Sequence, residues 1–103
     1  MKVRAVRIPA GITDSGKLLH ILADGLKFPY YFGHNWNALY DLLCDFSWSD
    51  EDMRIVIHHH DLPALPSSDQ QVYLKVLRDA VGSWSATKAA HRLEVIFPDY
   101  VDW

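Results

Sequence analysis

Residues 2–8 alternate, with Val3, Ala5 and Arg7 on one side and Arg4, Val6 and Ile8 on the other, until Pro9 interrupts. A period of two predicts a short strand, because successive side chains of an extended chain point to opposite faces. From Ser15 the period lengthens. Leu18, Leu19, Ile21, Leu22 and Leu26 recur at helical spacing behind Thr13-Asp14-Ser15, a group suited to capping a helix start. Gly25 falls inside this stretch and is read as its fraying end. Pro29 and Gly33 then bracket Tyr30, Tyr31 and Phe32, so residues 27–33 read as a loop. A second helix starts on Asn35, a good N-cap, and runs to Asp45.

Residues 53–57 are rich in β-branched side chains and enter the triplet His58-His59-His60; this is the second predicted strand. Pro63 and Pro66 bound a loop. Ser67 or Ser68 can cap a third helix through Val72, Tyr73, Val76, Leu77, Ala80 and Val81, with Gly82 as its C-terminal stop. Residues 93–97 form the last strand, ended by Pro98. Strands separated by helices need crossover connections, so the expected fold class is α/β: a small three-stranded parallel β-sheet packed with about three to four α-helices. Residues 1–103 contain no repeat or low-complexity tract and are expected to form a single domain.

Composition narrows the class. The 103 residues are half apolar, 22% charged and formally −3 at pH 7. A chain of this length buries roughly two-thirds of its extended surface, enough for one core without a disulfide or metal. No apolar run approaches the ~18 residues of a membrane span, and no signal peptide opens the chain. Cys44, the single cysteine, fits a reducing compartment. The chain is therefore expected to be cytoplasmic, away from membranes. An acidic balance argues against direct nucleic-acid binding, which rewards a cationic excess.

The charge is also segregated. In residues 1–27, Lys2, Arg4, Arg7, Lys17 and Lys27 outnumber Asp14 and Asp24, whereas every charged residue from 28 to 53 is acidic: Asp41, Asp45, Asp50, Glu51 and Asp52. Such a run is either a solvated face or a patch aimed at a cationic partner. On the second helix, Trp36, Leu39, Tyr40, Leu43 and Phe46 follow the spacing of a core face. His34, Asn37, Ala38, Asp41, Cys44, Asp45 and Trp48 make the opposite face a polar, acidic ridge, approached from the loop by Tyr31 and Phe32.

Other chemistry is thinner. Cys44 has no basic neighbour in sequence to lower its thiol pKa and reads as inert. Alternating sides on a strand leave only His58 and His60 able to share a ligand face. The triplet is therefore expected to be a solvated strand end rather than the zinc centre of a small metal-dependent hydrolase. His34 and Asp41 lie about 10 Å apart along a helix axis, too far to act as an acid–base pair. No catalytic residue, cofactor or metal is expected.

The stretch Leu26-Lys27-Phe28-Pro29-Tyr30-Tyr31-Phe32-Gly33-His34-Asn35-Trp36-Asn37-Ala38-Leu39-Tyr40-Asp41-Leu42-Leu43 resembles the hallmark segment of the barstar family of bacterial ribonuclease inhibitors. A Pro-led aromatic loop, a Gly-x-Asn helix start and an aromatic–Asp pair occur in one window. Val76-Leu77-Arg78-Asp79-Ala80 looks like the family's later helix, and the residues around Trp103 extend past the usual family end. The resemblance implies a barstar-like domain that blocks the active site of a ribonuclease. Asp41 takes the position of the family's central, phosphate-mimicking aspartate. Tyr31 matches the loop tyrosine that packs on the enzyme's histidine, Tyr40 replaces an interface tryptophan, and Asn35 matches the helix-start asparagine. Asp79 sits where a second carboxylate meets an arginine at the enzyme's rim. Ala38 falls within the same partner-binding strip. Asn37 is an amide where the family has an acid, Cys44 replaces a threonine, and Asp45 replaces a glycine.

The expectation is an intracellular, proteinaceous immunity protein, monomeric when free, whose partner is a basic ribonuclease or ribonuclease toxin. The alternatives are a small metal-dependent hydrolase using the His58–His60 cluster and a barstar-like module that binds some other basic protein.

Overall fold

The computed structural model describes residues 2–45, 53–85 and 92–103. Six elements follow in order: β1 (Lys2–Ile8), α1 (Ser15–Leu26), α2 (Trp36–Cys44), β2 (Met53–His59), α3 (Ser67–Ser85) and β3 (Arg92–Ile96). The strands form a parallel sheet in the order β1-β2-β3. This is the expected α/β arrangement, a three-stranded parallel sheet with three helices.

Register explains how the sheet divides its faces. Val6 pairs with Ile57, Ile8 with His59, Ile55 with Leu93 and Ile57 with Val95. Paired residues of parallel strands point the same way, so these side chains make one apolar face, and the helices pack on it. Val3, Ala5, Arg7, Arg54, Val56, Glu94 and Ile96 lie on the other face, exposed or half-buried, with Arg54 and Glu94 ion-paired. The strict alternation in β1 is the signature of this one-sided sheet.

α1 begins as its sequence dictates: Asp14 is the N-cap and its Oδ2 accepts the Lys17 N–H at 2.9 Å. Its end departs from expectation. Gly25 is not a frayed terminus but a packing position, because a Cβ there would lie 2.3 Å from Val6 Cγ2 and 2.8 Å from Val6 Cβ. The helix stops one residue later, where Lys27 turns left-handed at φ 55° and Phe28 N–H reaches the Ala23 carbonyl at 3.0 Å. The last turn contains no basic residue, yet Arg4 on β1 donates to the Leu26 carbonyl at 3.1 Å and supplies the charge from across the sheet.

α3 also differs from its forecast at both ends. It starts on Ser67, with Gln70 N–H donating to the Pro66 carbonyl, and it runs through Gly82 to Ser85. Trp84 Nε1 donates to the Leu43 carbonyl at 2.6 Å, a contact that the extra turn provides. Gly82 costs helix propensity, but tertiary contact beyond it outweighs that cost.

The histidine triplet is corrected as well. β2 continues to His59, which is buried at 2% exposure rather than lying at a solvated strand end. Its Nε2 lies 2.6 Å from the Tyr73 hydroxyl and its Nδ1 3.0 Å from the Ile96 carbonyl. Phe97 stacks on the ring at 4.0 Å and is itself covered by Trp103 at 5.4 Å, so the last residues close the end of the core. Among the described residues no three His, Cys, Asp or Glu side chains converge on a common point. No helix among them is long and apolar enough to cross a membrane.

Gly25→Ala is expected to destabilise the protein by about 1–3 kcal/mol, since the new methyl must displace Val6 or the helix. A urea-unfolding double-mutant cycle with Val6→Ala should show the two changes to be coupled. Additive effects would mean that α1 and β1 do not approach this closely.

Candidate functional site

The loop between α1 and α2 is set by its ends. Lys27 and His34 are the two non-glycine residues with positive φ among those described, at 55° and 51°. Left-handed backbone is costly for an L-residue, and His34 offsets this by donating from Nδ1 to the Phe32 carbonyl at 3.1 Å. Between these residues, Phe32 is buried and packs edge-on against Phe28 at 4.9 Å. That anchor turns Tyr30 and Tyr31 outward, at 99% and 63% exposure. The tyrosines therefore do not cover the core.

Asn35 converts the loop into helix. Its Oδ1 accepts the Ala38 N–H at 2.8 Å, and its Nδ2 donates to the Gly33 carbonyl at 3.2 Å. Gly33 leaves room for this, because a Cβ there would stand 2.9 Å from Asn35 Nδ2. Both ends of the amide are thus engaged in capping, and Asn35 positions α2.

α2 buries Leu39, Leu42 and Leu43, with Trp36 half-buried. The expected core face was partly wrong. Tyr40 is 38% exposed, and Leu42, which that reading left out, takes the buried place. Phe46 and Trp48 lie outside the described residues, as do Asp50, Glu51 and Asp52. The outward strip consists of exposed Asn37, Tyr40, Asp41 and Asp45 with half-buried Ala38 and Cys44.

Two depressions flank this strip. One, of about 150 Å³, is lined by Tyr31, Phe32, Ala38, Asp41 and Leu42. The other, of about 230 Å³, lies between α2 and α3 and is lined by Asn37, Tyr40, Val72, Lys75, Val76 and Asp79. Of the residues forecast from sequence, Tyr31, Asn37, Ala38, Tyr40, Asp41 and Asp79 are brought to these recesses. Asn35 sits at the helix start, and Cys44 and Asp45 at its end. Val72, Lys75 and Val76 were missed. Val72, apolar yet 40% exposed, is a signal visible only once α2 and α3 are placed side by side.

The electrostatics are specific. Asp41 is exposed, and among the described residues its carboxylate has no hydrogen-bond or ion-pair partner. Asp79 is held by Lys75, one turn earlier on α3, at 2.8 Å. Cys44, one turn on, raises the Tyr40 phenol above its ordinary range through their side-chain interaction, helped by Asp79 and Asp41. Burial raises the Cys44 thiol, only partly offset by hydrogen bonds from Tyr40 and Ser83. A thiol kept protonated is a poor nucleophile. An acidic, partly aromatic surface between two shallow recesses suits contact with a cationic protein surface.

The model of one protein family, described as Barstar (barnase inhibitor), matches residues 1–96. No curated protein matches the chain. The match leaves residues 97–103, including Trp103, beyond it.

The cap yields a direct expectation. Asn35→Ala should cost about 1 kcal/mol in chemical denaturation, and Asn35→Asp should recover most of it, since a carboxylate can accept the Ala38 N–H. An unchanged midpoint in Asn35→Ala would mean that α2 starts without its cap.

Proposed function

The chain belongs to the barstar family, whose members are inhibitors rather than enzymes and whose partner in general is a ribonuclease; on that premise we propose that it is a stoichiometric inhibitor, an immunity protein that occupies the active site of a basic ribonuclease or ribonuclease toxin. It acts as one barstar-like unit, free as a monomer and resident in the bacterial cytoplasm.

The observation that carries this reading is the placement of Asp41. An acid in the C-terminal half of a helix opposes the macrodipole, which costs a few tenths of a kcal/mol to about 1 kcal/mol. Asp41 has no hydrogen-bond or ion-pair partner among the described residues, and it borders the recess lined by Tyr31, Phe32, Ala38 and Leu42. A cation on another molecule would supply the compensation that Asp41 lacks among the described residues. A ribonuclease holds phosphate with arginine, lysine and histidine, and a carboxylate on a fixed helix can take that phosphate's place through charge-assisted pairing. Nothing in this step is transformed: Asp41 accepts hydrogen bonds, Tyr31 offers an aromatic face to a cationic ring, and substrate is excluded.

The neighbouring residues refine the fit. Asn37 and Tyr40 form the ridge between the recesses, Ala38 keeps it low enough for close approach, and Cys44 and Asp45 extend it. Asp79 joins from α3. Its exposed pair with Lys75 is worth only about 0.3–0.5 kcal/mol, so an incoming arginine can displace the lysine at little cost.

The test uses the chain as bait in extracts of its producing cell, with RNA-cleaving activity retained on the resin as the readout. Wild type should retain a ribonuclease and inhibit it one to one. Asp41→Ala should lose about a hundredfold or more in affinity, mostly through faster dissociation, because it leaves a buried cation of the partner unpaired. Its folding stability should stay level or rise slightly. Asp24→Ala, at an exposed position on α1, should bind as wild type. Association should slow as salt rises, as expected of an acidic face steering toward a basic enzyme. Equal, small effects of Asp41→Ala and Asp24→Ala would refute the phosphate mimic.

A further inference from the structure

Trp36, Tyr73 and His59 form a line of side chains from the first turn of α2 to the C-terminal end of the central strand, β2. The Trp36 and Tyr73 rings lie 5.6 Å apart, and those of Tyr73 and His59 5.8 Å apart. Trp36 is tied further to α3 by its Nε1, which donates to Asp69. Tyr73 is fully buried. The packing of α2 on the rest of the molecule runs chiefly through α3.

The hydrogen bonds of His59 fit the neutral ring with its proton on Nδ1. The Ile96 carbonyl can only accept, so Nδ1 carries the proton and donates to it, and the bare Nε2 accepts the Tyr73 O–H. A second proton, on Nε2, would remove the acceptor of the Tyr73 hydroxyl and place a cation in the core. Around the ring, the second proton would find only the neutral Tyr73 oxygen as an acceptor and no anion. α3 presents Tyr73, β3 and the residue after it present the Ile96 carbonyl and Phe97, and β1 presents Ile8, its partner in register. Along β2 the neighbours are His58 and His60. None of these is a carboxylate.

We propose that His59, Tyr73 and Trp36 are positioning residues for α2, and that protonation of His59 uncouples this helix from the sheet. In the closed form burial holds His59 down to about 4. In a form opened to water it titrates near its ordinary value of about 6.5. The opened form therefore binds more protons between these two values. Opening becomes easier by about tenfold per pH unit as pH falls through that window, and the closed form keeps its full advantage above it. Acid thus loosens the helix that carries Asp41.

Amide exchange on the free, full-length chain tests this without any partner, so failure here is separate from failure of the inhibitor reading. Between pH 6.5 and 4.5, corrected for intrinsic exchange, Leu42 and Leu43 of α2 should be less protected than Leu22 of α1. Their protection should fall about tenfold per pH unit. In His59→Gln, whose amide can still accept from Tyr73 but does not titrate, that fall should be absent. Should that variant fail to fold, His59→Phe with Tyr73→Phe removes both polar partners and should likewise abolish the fall. Protection equal to that of Leu22 at every pH would show only global unfolding and overturn the proposal. So would an undiminished fall in the folded variant.

Discussion

The burial of Leu39, Leu42 and Leu43 is the contact on which the site depends. A nine-residue helix does not persist alone in water, because its few hydrogen bonds do not repay nucleation. α2 exists because its apolar stripe is covered by the core and by α3. With that stripe facing inward, the 100° step of the helix leaves Asn37, Tyr40, Asp41 and Cys44 no choice but to face outward. The acidic ridge is thus a geometric consequence of a hydrophobic one. Asn35 adds the starting point, and Trp84, bonded to the Leu43 carbonyl, fixes the other end.

The same arrangement explains why the surface is charged in a way that does not help folding. Stability would favour acids in the first turn of α2 and bases in the last; the helix has neither, and Asp41 and Asp45 fall toward the wrong end. α1 has the same pattern, with neither an acid in its first turn nor a base in its last, but Asp14 caps its start and Arg4 donates to its Leu26 carbonyl. What sets Asp41 apart is its position beside the recess lined by Tyr31, Phe32, Ala38 and Leu42. Lys27 and His34, both left-handed, place a further conformational cost at the two ends of the loop that displays Tyr30 and Tyr31.

The strands, the helices and their parallel arrangement were legible in the sequence because each has a clean period: two in residues 2–8, and three to four around Leu18–Leu22–Leu26 and Tyr73–Val76–Leu77–Ala80. The Asn35 cap was legible for the same local reason. Misreadings occurred where tertiary contact decides. Gly25 looks like a helix breaker until Val6 is placed against it, and Gly82 looks like a stop until Trp84 finds α2. Tyr40 and Leu42 sit about 200° apart around the helix, and both are apolar enough for the inner face; tertiary packing puts Leu42 beside Phe32 and leaves Tyr40 at the groove between α2 and α3. His59 reads as polar in sequence, and its burial depends on Tyr73 and the Ile96 carbonyl, which are 14 and 37 residues away. Val72, Lys75 and Val76 joined the recess beside α2 for a similar reason, since a groove between two helices has no sequence motif of its own.

The central claim is that Asp41 stands where an enzyme's substrate phosphate would stand. Competition measures this most directly: the affinity of the chain for its ribonuclease, determined at increasing concentrations of a mononucleotide that occupies the enzyme's phosphate site. If Asp41 fills that site, the apparent dissociation constant rises in proportion to nucleotide concentration, and no ternary complex forms. If nucleotide and chain bind together with their affinities unchanged, the chain contacts the enzyme elsewhere and the account is wrong.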